Sequence, residues 1–156
     1  MIITTENAYL FVYGSLMLNI GSPMSNFLAQ RAKFIGEGKV KGYLYDIGSY
    51  PGLVVDKQNG SLITGHVFEL RHAEQVWKVL DDYEDYRPDE VEKSLYRRER
   101  ALVMIAGKAL DCQTYLYNQS VAQLAIIPTG NYADWWQQAE KHQQFIQQGG
   151  NAIDYL

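Results

Sequence analysis

Between residues 34 and 70, seven glycines (Gly36, Gly38, Gly42, Gly48, Gly52, Gly60 and Gly65) cut the chain into short runs rich in Val, Ile, Leu and Tyr. That texture is one of strands joined by turns. It predicts strands over 40–47, 53–56 and 62–70, with a tight turn at Asn59-Gly60 between the last two. A further pair, 95–105 and 108–117, reads as a hairpin around Ala106-Gly107. Near the start, Tyr9-Leu10-Phe11-Val12-Tyr13 is a continuous apolar and aromatic run stopped by Gly14-Ser15, the pattern of a buried strand. Helices fall between these runs. Ser22 is an N-cap with Pro23 in the first helical position, and Met24, Phe27, Leu28 and Ala32 share one face. A second helix spans about 72–84, and Pro88 cannot continue it far. A polar, amphipathic last helix starts near Asn131 and is expected to bury Trp135, Trp136, Ala139 and Ile146. This order predicts an α+β fold: a mixed, mostly antiparallel sheet curled into a small barrel with flanking helices, as a single domain over 1–156.

Composition agrees with one ordinary domain. A chain of 156 residues that is 47% hydrophobic can build a full core. Fourteen basic against eighteen acidic residues give a net charge of −4, which argues against a nucleic-acid surface. A single cysteine, Cys112, excludes an internal disulfide and a Cys-rich zinc site; it reads as a small core residue and fits a reducing compartment. His66, His72 and His142 lack metal-ligand spacing and read as structural or surface histidines. Residues 7–30 carry no charge, but the densely apolar part is only 8–18, short of the about 20 residues that span a membrane. The first six residues hold Glu6 and no Lys or Arg, unlike a signal-peptide start. A cytoplasmic protein with neither membrane nor nucleic-acid partner is expected; its oligomeric state is not legible. Twelve tyrosines against five phenylalanines suit a cleft whose lining has one wet end.

Familiar nucleophile and cofactor motifs fail. Gly-x-Ser-x-Gly around Ser15 would need glycine where Tyr13 and Met17 stand. Gly36-Glu37-Gly38 lacks the third glycine and the helix of a dinucleotide loop. Two places remain. At Tyr13-Gly14-Ser15-Leu16 a strand ends in Gly-Ser, and successive N–H groups there can converge into a nest for an anion or oxyanion. Spacing alone fits a plain strand-to-loop turn better. In Leu80-Asp81-Asp82-Tyr83-Glu84-Asp85, four acids crowd a helix C-terminus, where the macrodipole disfavours anions by some tenths of a kcal/mol each. Glu84 follows Leu80 by four residues and Trp77 by seven, so it lies on the apolar stripe. Asp82 and Asp85 align with Lys78, towards solvent. Partial burial beside like charges would raise the Glu84 pKa, which suits a general base. A solvated acidic helix end with Glu84 at its rim is the plainer reading of the same residues.

With these motifs the sequence resembles the gamma-glutamyl cyclotransferase-like family, which includes gamma-glutamylamine cyclotransferase and the plant avirulence-induced-gene-like proteins. Val12-Tyr13-Gly14-Ser15-Leu16 is similar to the family's opening glycine loop. Ser49-Tyr50-Pro51-Gly52-Leu53-Val54 resembles its Tyr-Pro segment, and Gly65-His66-Val67-Phe68-Glu69-Leu70 the strand before the acidic helix. Leu80-Asp81-Asp82-Tyr83-Glu84 is similar to its Leu-Asp-x-x-Glu. Tyr96-Arg97-Arg98, Thr114-Tyr115-Leu116-Tyr117 and Ile127-Pro128-Thr129-Gly130 match later segments. The resemblance covers nearly the whole chain, and the ordered set is its specific element. Two positions depart from the pattern: Met17 stands where the family often has a basic residue, and Asp85 where it often has glycine.

The resemblance implies an intramolecular aminolysis. The α-amine of a gamma-glutamyl amide attacks its own γ-carbonyl, closes 5-oxoproline and expels an amine or amino acid. Glu84 would be the general acid/base, and Tyr13, Gly14, Ser15, Leu16, Tyr50 and Tyr115 would hold the small-molecule substrate, with no metal and no cofactor. An ordinary Glu near pKa 4.3 facing an α-amine near 8 would meet a proton-transfer penalty of roughly 5 kcal/mol, so Glu84 must be partly buried. The competing classes are a non-catalytic binding or interaction module on the same fold and an amide-forming or amide-breaking biosynthetic enzyme. Glutathione, gamma-glutamyl amino acids, gamma-glutamylamines and gamma-glutamyl-protected metabolites all remain open as substrates.

Overall fold

In the computed structural model, residues 8–148 are described; the readings placed on Glu6 and on the two chain ends lie outside them. Six strands form one sheet: β1 (Tyr9–Val12), β2 (Ala32–Asp46), β3 (Pro51–Val55), β4 (Ser61–Leu70), β5 (Tyr96–Ile105) and β6 (Lys108–Tyr117). Their order is β3-β2-β4-β1-β6-β5, and a β2–β5 pairing at Lys39 and Met104 closes five of them into a barrel with β3 as an extra strand. The β1–β6 pairing is parallel and the others are antiparallel, so the expected mixed, mostly antiparallel barrel is what forms. Side chains such as Leu10, Leu44, Ile63, Val67 and Val103 fill the core.

The helices follow local chemistry. Ser22 caps α1 (Pro23–Arg31) by accepting the Ser25 N–H at 3.1 Å, and Pro23 sits in the first turn. α2 (Ala73–Tyr83) buries Val76, Trp77 and Leu80. The Ala106-Gly107 turn has positive φ at both residues, 49° and 77°, the backbone of a type I′ hairpin.

Three expectations are corrected. β2 begins at Ala32 rather than at 40, because its whole length finds partners on β4, from Ala32 opposite Leu70 to Gly42 opposite Ser61, across a bulge near Phe34 and Gly36. Ala32 thus opens β2 rather than continuing the face of α1. The chain does turn between β3 and β4, at 57–59 with the Gly60 N–H donating to the Asp56 carbonyl, but the two strands it joins each run antiparallel to β2 and do not pair with each other as a hairpin. The last helix is broken. α3 (Tyr132–Trp135) is followed by a 3-10 turn (Trp136–Gln138), extended Ala139 and then α4 (Glu140–Gln148). The break rotates the two halves apart, so Tyr132, His142 and Ile146 are buried while Trp135, Trp136 and Ala139 are only half-buried.

Candidate active site

The end of β1 and the end of α2 meet at a cavity of about 430 Å³. β1 delivers Tyr13, whose buried hydroxyl donates to the Tyr115 carbonyl (2.6 Å) and accepts the Leu53 N–H (3.2 Å), tying the loop to β6 and β3. The Met17 N–H then donates to the Gly14 carbonyl, making residues 14–17 a β-turn. Such a turn does not use the N–H groups of its two central residues, here Ser15 and Leu16. A Cβ on Gly14 would stand 2.7 Å from Pro51 Cγ, so only glycine lets the two segments approach this closely. His66 accepts the Leu18 N–H on Nδ1, and the Ser22 hydroxyl donates to the Ser15 carbonyl; both brace the loop. Burial lowers the His66 pKa, which favours the neutral ring this bond needs.

Opposite the loop, α2 ends in a Schellman motif. The Tyr86 N–H donates to the Asp81 carbonyl (2.8 Å) and the Asp85 N–H to the Asp82 carbonyl (3.1 Å), with Asp85 in the left-handed region at φ 54°. Glu84 is the C-cap, at φ −86° and ψ 2°, the residue that leads into the left-handed C′ position. It is half-buried and lines the cavity. Burial first, and the Asp81 charge second, push its carboxyl up to about 8. The negative end of α2 acts in the same direction.

Asp81 itself is held in place. Arg98 reaches its two carboxylate oxygens with Nε (3.0 Å) and a terminal nitrogen (3.3 Å), and the Tyr115 hydroxyl donates to it at 2.6 Å. The Arg98 guanidinium also lies 4.3 Å from the Trp77 ring centre. This bracket fixes the last turn of α2, and with it Glu84, against β5 and β6. Tyr83 meets Ser15 through their hydroxyls, 3.1 Å apart, so the acidic helix end touches the glycine loop directly.

All seven residues singled out from the sequence, Tyr13, Gly14, Ser15, Leu16, Tyr50, Glu84 and Tyr115, line this one cavity. Asp82 is exposed, as expected, but both it and half-buried Asp85 also reach the cavity rim. Met17, at the position where the family often has a basic residue, is buried in the core. Sequence reasoning missed the Arg98–Asp81–Tyr115 bracket, Tyr96, whose hydroxyl donates to the Pro51 carbonyl, and Phe145 of α4. Asp81 had a readable signal, its four-residue spacing from Trp77 on α2; Phe145 had none, because its neighbours come from distant segments. Cys112 is a buried strand residue whose thiol burial pushes up to about 12, so it is inert. Among the described residues no cluster of His, Cys, Asp and Glu is arranged to hold a metal ion, and no helix is long and apolar enough to cross a membrane.

The glycine turn and Glu84 thus share one cavity on a closed mixed barrel, and solved structures share this fold. An AIG2-like protein from Mus musculus superposes with a TM-score of 0.60 at 24% identity, over 77% of this chain and 85% of that one. The YtfP protein of Escherichia coli superposes at 0.51 with 26% identity, over 81% and 96%. The chain belongs to the gamma-glutamyl cyclotransferase, AIG2-like family, whose model matches residues 10–134. It is also 32% identical over 129 residues to the putative gamma-glutamylcyclotransferase of Methanocaldococcus jannaschii, across 81% of this chain and 97% of that protein.

Proposed function

We propose that the chain is a gamma-glutamyl cyclotransferase that releases 5-oxoproline from a small gamma-glutamyl amide, with Glu84 as general acid/base. The observation that carries this reading is the position of Glu84: half-buried, raised to about 8, and sharing one cavity with the glycine turn. A carboxyl at that value matches an α-amine near 8, so proton transfer from the substrate ammonium becomes nearly thermoneutral.

The freed α-amine attacks the γ-carbonyl. A C–N bond closes the five-membered lactam; Glu84 gives its proton to the departing nitrogen as the original amide C–N bond breaks, then takes the second proton from the closing nitrogen and passes it to the released amine. Nucleophile and electrophile share one molecule, so the site's main task is to hold the glutamyl chain folded, which can be worth several kcal/mol. The Ser15 and Leu16 N–H groups suit the glutamyl carboxylate or the oxyanion. Ser15 is not a nucleophile in this scheme. Its hydroxyl meets the Tyr83 hydroxyl, whose pKa burial raises, so that partner is no base.

The test is 5-oxoproline release from a panel of gamma-glutamyl compounds. Glu84→Gln is expected to lower turnover by at least about 10²-fold while substrate binding persists. Ser15→Ala is expected to keep turnover within about tenfold of the unmodified protein, since a lost hydroxyl contact of this kind is worth about 1 kcal/mol. No release from any compound would move the chain to the binding-module class, and release by Glu84→Gln equal to that of the unmodified protein would remove Glu84 from the acid/base role. Loss of all turnover in a folded Ser15→Ala protein would make Ser15 a nucleophile.

A further inference from the structure

The family match ends at residue 134, yet α4, which begins at Glu140, supplies a wall of the cavity. Phe145 projects there, its ring centre 5.2 Å from that of Tyr50, which in turn lies 6.2 Å from Tyr96. The position is held firmly. Three residues earlier on the same helix face, His142 is 1% exposed. Its Nδ1 meets the Tyr132 hydroxyl and its Nε2 the Asp46 carboxylate, both at 2.7 Å, and the Trp135 and His142 rings pack nearly perpendicular to one another. Asp46 ends β2, just before the connection that carries Tyr50, so the anchor and the aromatic wall share one support.

Phe145 has no donor or acceptor for a substrate group. A glutamyl end bears an ammonium, a carboxylate and only two methylenes, and its needs are polar. With Glu84 assigned to the ammonium and the Ser15 and Leu16 N–H groups to the carboxylate, the Phe145 face is left for the other part of a gamma-glutamyl amide. We propose that Phe145 is a specificity-determining residue that selects leaving amines presenting an apolar, preferentially aromatic face. This rests on the cyclotransferase reading for the orientation of the substrate.

The experiment compares gamma-glutamylbenzylamide with gamma-glutamylmethylamide, by calorimetric affinity and by 5-oxoproline release, for the unmodified protein, Phe145→Ala and Phe145→Leu. The unmodified protein is expected to bind the benzylamide at least about tenfold tighter, the discrimination a small apolar contact gives. Phe145→Ala should lose about that factor for the benzylamide and far less for the methylamide, with Phe145→Leu between. Leucine keeps apolar volume on α4, so it separates lost contact from a loosened helix. No preference in the unmodified protein, retention of the preference in both variants, or equal weakening of both amides would overturn the proposal. A binding preference with no 5-oxoproline from any compound would sink the cyclotransferase reading and leave the aromatic selectivity standing. Equal affinity with equal release would do the reverse, and no binding of either amide would sink both.

Discussion

Burial at the end of α2 raises the Glu84 carboxyl from its ordinary 4.5 to about 8, and that shift acts on stability as well as chemistry. Between those two values the folded chain keeps a proton that the unfolded chain has lost. Stability therefore falls as pH rises from about 4.5 to about 8, and levels off above. Glu84→Gln removes this slope, so denaturant midpoints of the variant and the unmodified protein should agree near pH 4.5 and separate, with the variant more stable, towards pH 8. Activity runs the other way. The base must be unprotonated, so kcat/KM is expected to climb through pH 8 on its acid limb. An acid limb near 4.5 would mean that Glu84 is solvated or is not the base. The spacing from Trp77 and Leu80 made this residue legible, because side-chain stripes follow helical period. The neighbouring acids were less legible. Asp81 reads in sequence as one more repelling charge, but Arg98 and Tyr115, contributed by β5 and β6, turn it into an anchor.

At the scale of elements, the terminus of α2 explains an odd residue. The C′ position of a Schellman motif takes a left-handed backbone, which glycine adopts freely and other residues adopt at about 1 kcal/mol. Asp85 holds that position at φ 54°, the place where the resembling family often has glycine. Its carbonyl accepts the Leu95 N–H, and its carboxylate pairs with Arg87 at the surface, a contact worth no more than about 1 kcal/mol. Asp85→Gly is therefore expected to hold stability within about 1 kcal/mol, whereas Asp85→Val, β-branched at a positive φ, should lose more than about 1 kcal/mol. Urea unfolding of the two variants decides this; a Val variant as stable as the Gly variant would contradict the left-handed assignment. The C-terminal segment teaches the opposite lesson. Its apolar spacing reads as one helix, but extended Ala139 divides it, because Tyr132 and His142 must both face the Asp46 end of β2.

For the whole molecule, the site depends on barrel closure. β1 carries the glycine turn and lies between β4 and β6, the one antiparallel and the other parallel to it. At Gly65 on β4 an added Cβ would stand 2.3 Å from the Val12 carbonyl oxygen and 2.5 Å from the Phe11 ring. Backbone cannot yield there without parting β1 from β4. Gly65→Ala is expected to destabilise the fold by about 1–3 kcal/mol or more, the usual range for overpacking, and to impair turnover by shifting the turn. Unchanged unfolding midpoint and activity would mean that β1 and β4 are less tightly apposed than described.

Local features were legible along the chain: most strand and helix identities, the Ser22 cap, the Ala106-Gly107 turn, the Gly14-Ser15 stop after β1 and the stripe that carries Glu84. Each rests on neighbours within a few residues, where period and turn chemistry act. Long-range packing set the register that starts β2 at Ala32, the pairing of β3 and β4 with β2 instead of with each other, the Arg98 bracket on Asp81, and the entry of Phe145 into the cavity. These rest on contacts between segments up to 96 residues apart, as in the His142–Asp46 pair. No periodicity records such contacts, because they form only when the whole sheet closes and buries both partners together.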